Sequence, residues 1–255
     1  MRETLTKLTR ATSRNSFIMI LLQVILGSIA VGYFTYHQQY YNIFYGIVTG
    51  FVMMHVLHNI SLHRYFAHNS FKTSKFWHAV MAMTSPLACG GSPYGYAMAH
   101  RTHHIYSDTD RDPHYKGIGF FNISFFKWNL KKVPIRTMGS LNETWILRSH
   151  NYYVMIIVLF YAMLLAINPT WALIYNIAGL WLYLSYLTIN IVDHRNIWFG
   201  YRNFDTDDKS MNDIVTGYIV GEWHNNHHKN PQQWNQRVRW WEFDLNAQLV
   251  KLIKK

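Results

Sequence analysis

Cysteine is nearly missing from this 255-residue chain: Cys89 stands alone. One thiol excludes an internal disulfide and any multi-cysteine zinc or iron–sulfur site, and Cys89 reads most simply as a small buried apolar residue. Acidic residues are also few, 13 Asp and Glu against 24 Lys and Arg, for a formal net charge of +11. No Glu-x-x-His pair of the kind found in soluble carboxylate-bound metal bundles occurs. No basic run interleaves with aromatics as a base-reading surface would. The positive balance therefore reads as a face turned to anionic lipid, and no nucleic-acid partner is expected. The sequence also lacks low-complexity tracts, domain linkers, and a haem- or flavin-binding segment.

The most informative absence is local. No Lys, Arg, Asp or Glu occurs from Asn15 to His63, nor from Ser149 to Val192. Each window is long enough for two membrane spans of ~20 residues joined by a tight turn. Charge-free runs of this length are rare in soluble helices, which argues against two buried hairpins of a soluble core. The expected spans are about 16–36, 41–59, 152–167 and 171–191, with residues 60–150 and 193–255 forming a helical cap on one membrane face. All Lys and Arg lie in the N-terminal tail, between Arg64 and Arg148, or beyond Asp193. With four crossings these segments share one side, and the positive-inside rule makes that side cytoplasmic, termini included. Phe76–Met98 is apolar but broken by Ser85-Pro86 and Gly90-Gly91-Ser92-Pro93, so it is expected to enter the membrane shallowly and return. Leu245, Leu249, Leu252 and Ile253 follow helical spacing, as a helix lying on the membrane or packed on the cap would. The fold class is thus an all-α integral membrane protein: one domain over 1–255, four transmembrane helices in two hairpins, and a cytoplasmic cap.

What is abundant is histidine, and eight of the 15 fall in three short windows. These are His63-Arg-Tyr-Phe-Ala-His68, His100-Arg-Thr-His103-His104 and His224-Asn-Asn-His227-His228. Offsets of three and four put side chains on one helical face, so the second and third windows can each aim imidazoles at a single point. The fourth expected span ends in Asn190-Ile-Val-Asp193-His194, where an offset of four aligns Asn190 with His194. Nine histidines and one amide exceed the needs of one four-coordinate ion and suit two ions. A nitrogen-rich, thiolate-free site fits iron, with zinc and copper as competitors. In the first window His58 competes with His68 as the partner of His63. An offset of five separates residues by about 140° on an α-helix, so spacing leaves both pairs open.

The three windows, the extension Ile105-Tyr-Ser-Asp-Thr-Asp-Arg-Asp-Pro-His114, and Trp223 before the third window resemble the histidine boxes of membrane fatty acid desaturases. Gly200-Tyr-Arg-Asn-Phe-Asp-Thr-Asp-Asp208 and Arg239-Trp-Trp-Glu-Phe-Asp244 resemble the acyl-CoA Δ9-desaturase branch, its bacterial members in particular. The resemblance implies a di-iron centre held by His63, His68, His100, His103, His104, His194, His224, His227 and His228, with Asn190 acting through a water. It implies a four-helix stem, a cytoplasmic cap holding the irons, and a kinked tunnel for the acyl chain. It also implies insertion of a cis double bond, Δ9 being the expected position, into an acyl chain most simply carried on CoA. O₂ is the co-substrate, and no side chain beyond the metal ligands is expected to be catalytic. Asp108, Asp112, Asp193 and Glu222 are candidates for orienting ligand imidazoles, or for pairing with nearby arginines. Gly95-Tyr96 stands where resembling proteins often carry tryptophan, which marks Gly95 and Tyr96 as tunnel candidates. Two electrons would come from a separate ferredoxin, rubredoxin or cytochrome b5-type donor. A hydroxylase or ketolase of the same superfamily would keep the same metals. A metal transporter would instead place ligands near the bilayer midplane.

Overall fold

Both charge-free windows fold as pairs of long helices. The computed structural model describes residues 2–113, 121, 124, 140–141, 144–192 and 200–255. In chain order, α1 spans Arg2–Tyr36 and α2 spans Tyr40–Met53, continuing without a break as a π-helix over Met54–Ala67. Next come α3 (Lys75–Thr84), a 3₁₀ turn (Ser85–Ala88) and α4 (Pro93–Tyr106), then α5 (Thr144–Ile167) and α6 (Pro169–Val192). A π-helical turn (Thr216–Val220), α7 (His224–Lys229) and α8 (Leu245–Ile253) complete the order. Among the described residues there is no strand, only the isolated bridges Thr73–Lys254 and Tyr201–Asn212. The four stretches long and apolar enough to cross a membrane are Phe17–Tyr36, Tyr40–Ala67, Arg148–Ile167 and Pro169–Asn190.

Helix α6 is the hub of this stem, packed by α1 and α2. A polar-free membrane interior gives helices little hydrophobic reason to associate, so close backbone approach has to supply the packing. Gly46 and Gly50, four apart on α2, provide it: a Cβ on either would fall 2.5 Å from Ile177 Cβ and 2.6 Å from Trp181 Cβ, respectively. The outward faces carry large apolar side chains such as Ile29, Phe44, Val158 and Leu159, as lipid-facing helices require.

The α3–turn–α4 hairpin enters the stem more deeply than its sequence suggests. The carbonyl of Leu87 at its tip accepts a hydrogen bond of 2.7 Å from the hydroxyl of Tyr175, near the far end of α6. Ser92 caps α4 by accepting from the N–H of Gly95, and Pro93 occupies the first helical turn, where its missing N–H costs nothing. Helix α8 packs on the π-helical segment through buried Asn246, Ala247 and Val250, capped by Asp244. Of the apolar set in the sequence, Leu245, Leu249 and Ile253 are half-buried and Leu252 is 78% exposed.

Candidate metal centre

The π-helix is what lets the first histidine window work. An i→i+5 ladder, seen in the bond from His68 N to His63 O (3.2 Å), stacks residues five apart nearly above one another. His63 and His68 therefore face the same way, which an α-helix would forbid. Helix α4 brings His100, His103 and His104 with offsets of three and four, and the short α7 brings His224, His227 and His228.

These eight side chains sort into two groups. Ligand nitrogens of His63, His68, His100, His104 and His227 all lie within 4.8 Å of one another, and so do those of His103, His224 and His228. All are buried except the half-buried His104. His58 belongs to neither group: its ring stacks 6.3 Å from that of His63, but its Nδ1 pairs with Asn59 Oδ1 at 2.9 Å. His55 bonds Asn246 Oδ1 at 2.8 Å. Asn190 lies half-buried near the end of α6, while Asp193 and His194 fall outside the described residues.

Carboxylates hold the outward nitrogens. His103 Nδ1 lies 2.9 Å from both oxygens of Asp112. Glu222 spans the two groups, with Oε1 2.7 Å from His224 Nδ1 and Oε2 3.3 Å from His63 Nδ1. Asp208 Oδ2 is 2.6 Å from His228 Nδ1. Asp108 accepts from Lys209 N at 2.7 Å, and its own N–H donates to Asp112 Oδ2. Sequence reasoning missed Asp208 as an orienting group, because the 20 residues separating it from His228 leave no periodic signal. Tyr96 stacks on His100 at 5.4 Å and meets His58 edge-on, so it sits at the rim of the cluster. Gly95 occupies the first turn of α4, where its N–H serves the Ser92 cap.

The donor set has a chemical consequence. Burial first, and then repulsion from neighbouring cationic groups, holds His68, His100, His104 and His227 well below the ordinary histidine value, so they are neutral at neutral pH. Yet His63 and His227 approach through Nε2 at 3.0 Å, His227 and His104 at 2.9 Å, and His104 and His100 at 3.0 Å. A neutral imidazole nitrogen either donates one proton or offers one lone pair, so these three contacts cannot all be hydrogen bonds. Where a carboxylate holds Nδ1–H, moreover, Nε2 is left as a bare lone pair. Burial pulls the His103 imidazolium down, but the charge and hydrogen bond of Asp112 outweigh it and raise the His103 value. Lone pairs converging in a buried space are what a cation relieves. The residues present fit one nitrogen-ligated metal ion in each group, with nitrogen donors that suit iron, zinc or copper.

Between α1, α5 and α6 the stem carries a half-open pocket of about 300 Å³, lined by Leu26, Ile157 and Gly179, reached by Gln23, Cys89 and Tyr175, and bordered by the exposed Leu22 and Val158. Tyr186 lies against His58 and the α3–α4 tip: its ring is 4.7 Å from that of His58, and its hydroxyl bonds Ala88 O at 3.4 Å.

Four helices long and apolar enough to span a membrane, with two histidine groups that could each hold a metal ion, define the class: an α-helical membrane protein with a candidate metal centre. The fatty acid desaturase family model matches residues 38–252, and the chain belongs to that family. It is similar to the sn-1 stearoyl-lipid 9-desaturase of Anabaena variabilis, 31% identical over 207 residues that cover 76% of this chain and 74% of that protein. The Delta-9 acyl-lipid desaturase 1 of Arabidopsis thaliana is 30% identical, covering 76% of this chain and 67% of the relative. The acyl-CoA C20 Delta5-desaturase of Anemone leveillei is also 30% identical, over 76% of this chain and 65% of its own length.

One consequence of the carboxylate shell is open to test. Asp208→Asn keeps the shape but weakens the hold on His228 Nδ1, and is expected to lower metal affinity roughly 10–100-fold, as loss of such a partner typically does. Chelator competition on the purified protein measures this, and unchanged affinity would show that Asp208 merely braces the 206–210 loop.

Proposed function

We propose that the protein is a membrane-bound, O₂-dependent desaturase that inserts a cis double bond, at Δ9, into a saturated fatty acyl chain. The observation that carries this reading is the pair of convergent imidazole groups at one end of a four-helix stem, in a chain of the desaturase family. The metal is iron, one ion in each group, with His194 and a water held by Asn190 as further ligands. The cap and both termini face the cytoplasm, in keeping with the distribution of Lys and Arg. Residues 1–255 act as one domain.

Bound iron would supply O₂ reduction and hydrogen abstraction, since a methylene has neither an acidic proton nor a leaving group for side chains to exploit. Overall, R–CH₂–CH₂–R′ loses two protons and two electrons, which is two hydrogen atoms. A separate ferredoxin, rubredoxin or cytochrome b5-type donor supplies two more electrons, and with two further protons O₂ leaves as two waters. The protein's part is to fix imidazole orientation through Asp112, Glu222 and Asp208, to keep the site dry, and to hold a mid-chain bond beside it. Tyr96 and Tyr186 stand where a chain passing from the histidines into the stem would run. The relatives include acyl-lipid and acyl-CoA desaturases by name, so both carriers enter the test, acyl-CoA being the one that the sequence resemblance favours.

Expression in a host that lacks desaturase activity, followed by mapping of double bonds in total fatty acids, tests the reading. Monounsaturated chains with the bond at carbon 9 are expected. Hydroxylated or oxo products would assign a sister oxygenase instead. Assays of the purified membrane fraction with stearoyl-CoA and with stearoyl-lipid then identify the carrier.

A further inference from the structure

The π-helical turn Thr216–Val220, which leads into the third histidine window, packs low on the second long helix. Asn59 Nδ2 donates to the carbonyl of Val220, and a Cβ on Gly221 would fall 2.5 Å from His55 Cε1. His55 and Asn59 follow Tyr40, where that helix begins. At an α-helical rise they stand at most about 22 and 28 Å along it. A hydrocarbon core of about 30 Å reaches that far, so the 216–221 backbone sits at the depth of the leaflet edge nearest the histidines.

The outward side of this segment is apolar. Ile214, Val215, Tyr218 and Ile219 are all exposed, and so are Val52 and Val56 of the second long helix at the same level. Tyr218 donates its hydroxyl to the carbonyl of Trp241, which joins the turn to a second exposed strip. That strip carries Trp240, the most exposed of the tryptophans there at 80%, together with Val238 and Phe243.

Its charge is of one sign. From Lys229 onward the bases are Lys229, Arg237, Arg239, Lys251, Lys254 and Lys255, and the only acids are Glu242 and Asp244. Both acids are buried, at 0% and 2% exposure, and both are spent internally: Glu242 on Tyr201 and Asn203, Asp244 on Arg64. Arg237 is tied to the tryptophan loop through a bond from Nη2 to Trp240 O (2.8 Å). Apolar side chains at leaflet depth, tryptophans beside them and unopposed cations above make the arrangement of an interfacial anchor.

We propose that residues 214–219 and 237–243 form a lipid-docking platform set into the leaflet nearest the metal centre, with Ile219 and Trp240 among the lipids and Arg237 on the phosphate of an anionic phospholipid. The platform continues directly into Glu222 and His224, so the bilayer helps fix the position of the third histidine window. A soluble acidic protein fits less well, because it would leave Ile214, Val215 and Ile219 stranded at hydrocarbon depth.

The single native cysteine makes the test clean. In a Cys89→Ser background, spin labels are placed at Ile219→Cys, at Trp240→Cys and, as an exposed reference, at Asp205→Cys. The full chain is reconstituted into phosphatidylcholine vesicles with and without phosphatidylglycerol. Power saturation should show labels at 219 and 240 more accessible to O₂ than to an aqueous nickel chelate, and the reverse at 205. The label at 240 should move deeper when phosphatidylglycerol is present, and Arg237→Gln should abolish that shift. A label at 240 that the nickel chelate reaches freely in both lipids would overturn the platform and point to a soluble partner. Equal depth in both lipids would overturn the anionic headgroup contact.

Discussion

Replacing His227 with alanine is expected to abolish unsaturated product and to release the metal held by its group. The residue is central: its Nε2 lies 3.0 Å from that of His63 and 2.9 Å from that of His104, so it joins the first and second windows. The loss should exceed the roughly 10–100-fold cost typical of an outer-shell partner, because a donor atom itself is removed. Elemental analysis of purified protein should fall from two irons per chain to one or fewer. His37→Ala is the matched control, since His37 packs against Tyr33 and Tyr36 just beyond the end of α1. Full product and two irons in His227→Ala would remove the histidine groups from the chemistry altogether. Lost iron with retained product would show that the metal site and the reaction are separate.

How much of this was legible before the structure depends on the range of each signal. The spans were readable because lipid excludes charge, and that exclusion is written along contiguous residues. The second and third histidine windows were readable because offsets of three and four have one meaning on an α-helix. The first window was not. Its offset of five points in two directions on an α-helix and in one direction on a π-helix, and nothing in Met54–Ala67 announces the change of ladder. Spacing alone does not separate His68 from His58; the resemblance singles out His68, and the fold puts His68 in the five-histidine group while His58 pairs with its own neighbour Asn59. Asp208 and the lipid-level turn at 216–220 were invisible for another reason: each is defined by a partner distant in sequence, His228 for one and Asn59 for the other. The depth reached by the α3–α4 tip likewise depends on Tyr175, 88 residues from Leu87.

The second large effect is expected where no metal ligand is touched. Arg64 directly follows His63 and is 1% exposed, which is rare for a guanidinium and costly unless its charge is paired. Its Nη1 donates to Trp234 O at 2.6 Å and to Asp244 Oδ2 at 2.8 Å, and its Nη2 reaches Gly221 O at 3.2 Å. One side chain thus ties the first histidine window to the segments on both sides of the third. Asp244 is equally committed, accepting from Gln236 N at 2.8 Å and capping α8 through Ala247 N at 2.9 Å. Asp244→Ala strands a buried cation, which costs about 3–5 kcal/mol, and removes an N-cap, which costs about 1 kcal/mol more. Those losses approach the ~5–15 kcal/mol stability of a whole domain, so the cap should open and iron should be lost although all eight described histidines remain. Thermal unfolding in detergent, read together with iron content, measures both. Arg64→Met combined with Asp244→Leu removes the stranded charge and should recover much of the unfolding temperature, because an apolar pair of similar volume often replaces a buried ion pair at little cost. If the double variant is no more stable than Asp244→Ala, the backbone bonds of Arg64 to Trp234 and Gly221 matter more than its charge pairing. Those bonds would then be what keeps His63 and His227 within reach of one ion.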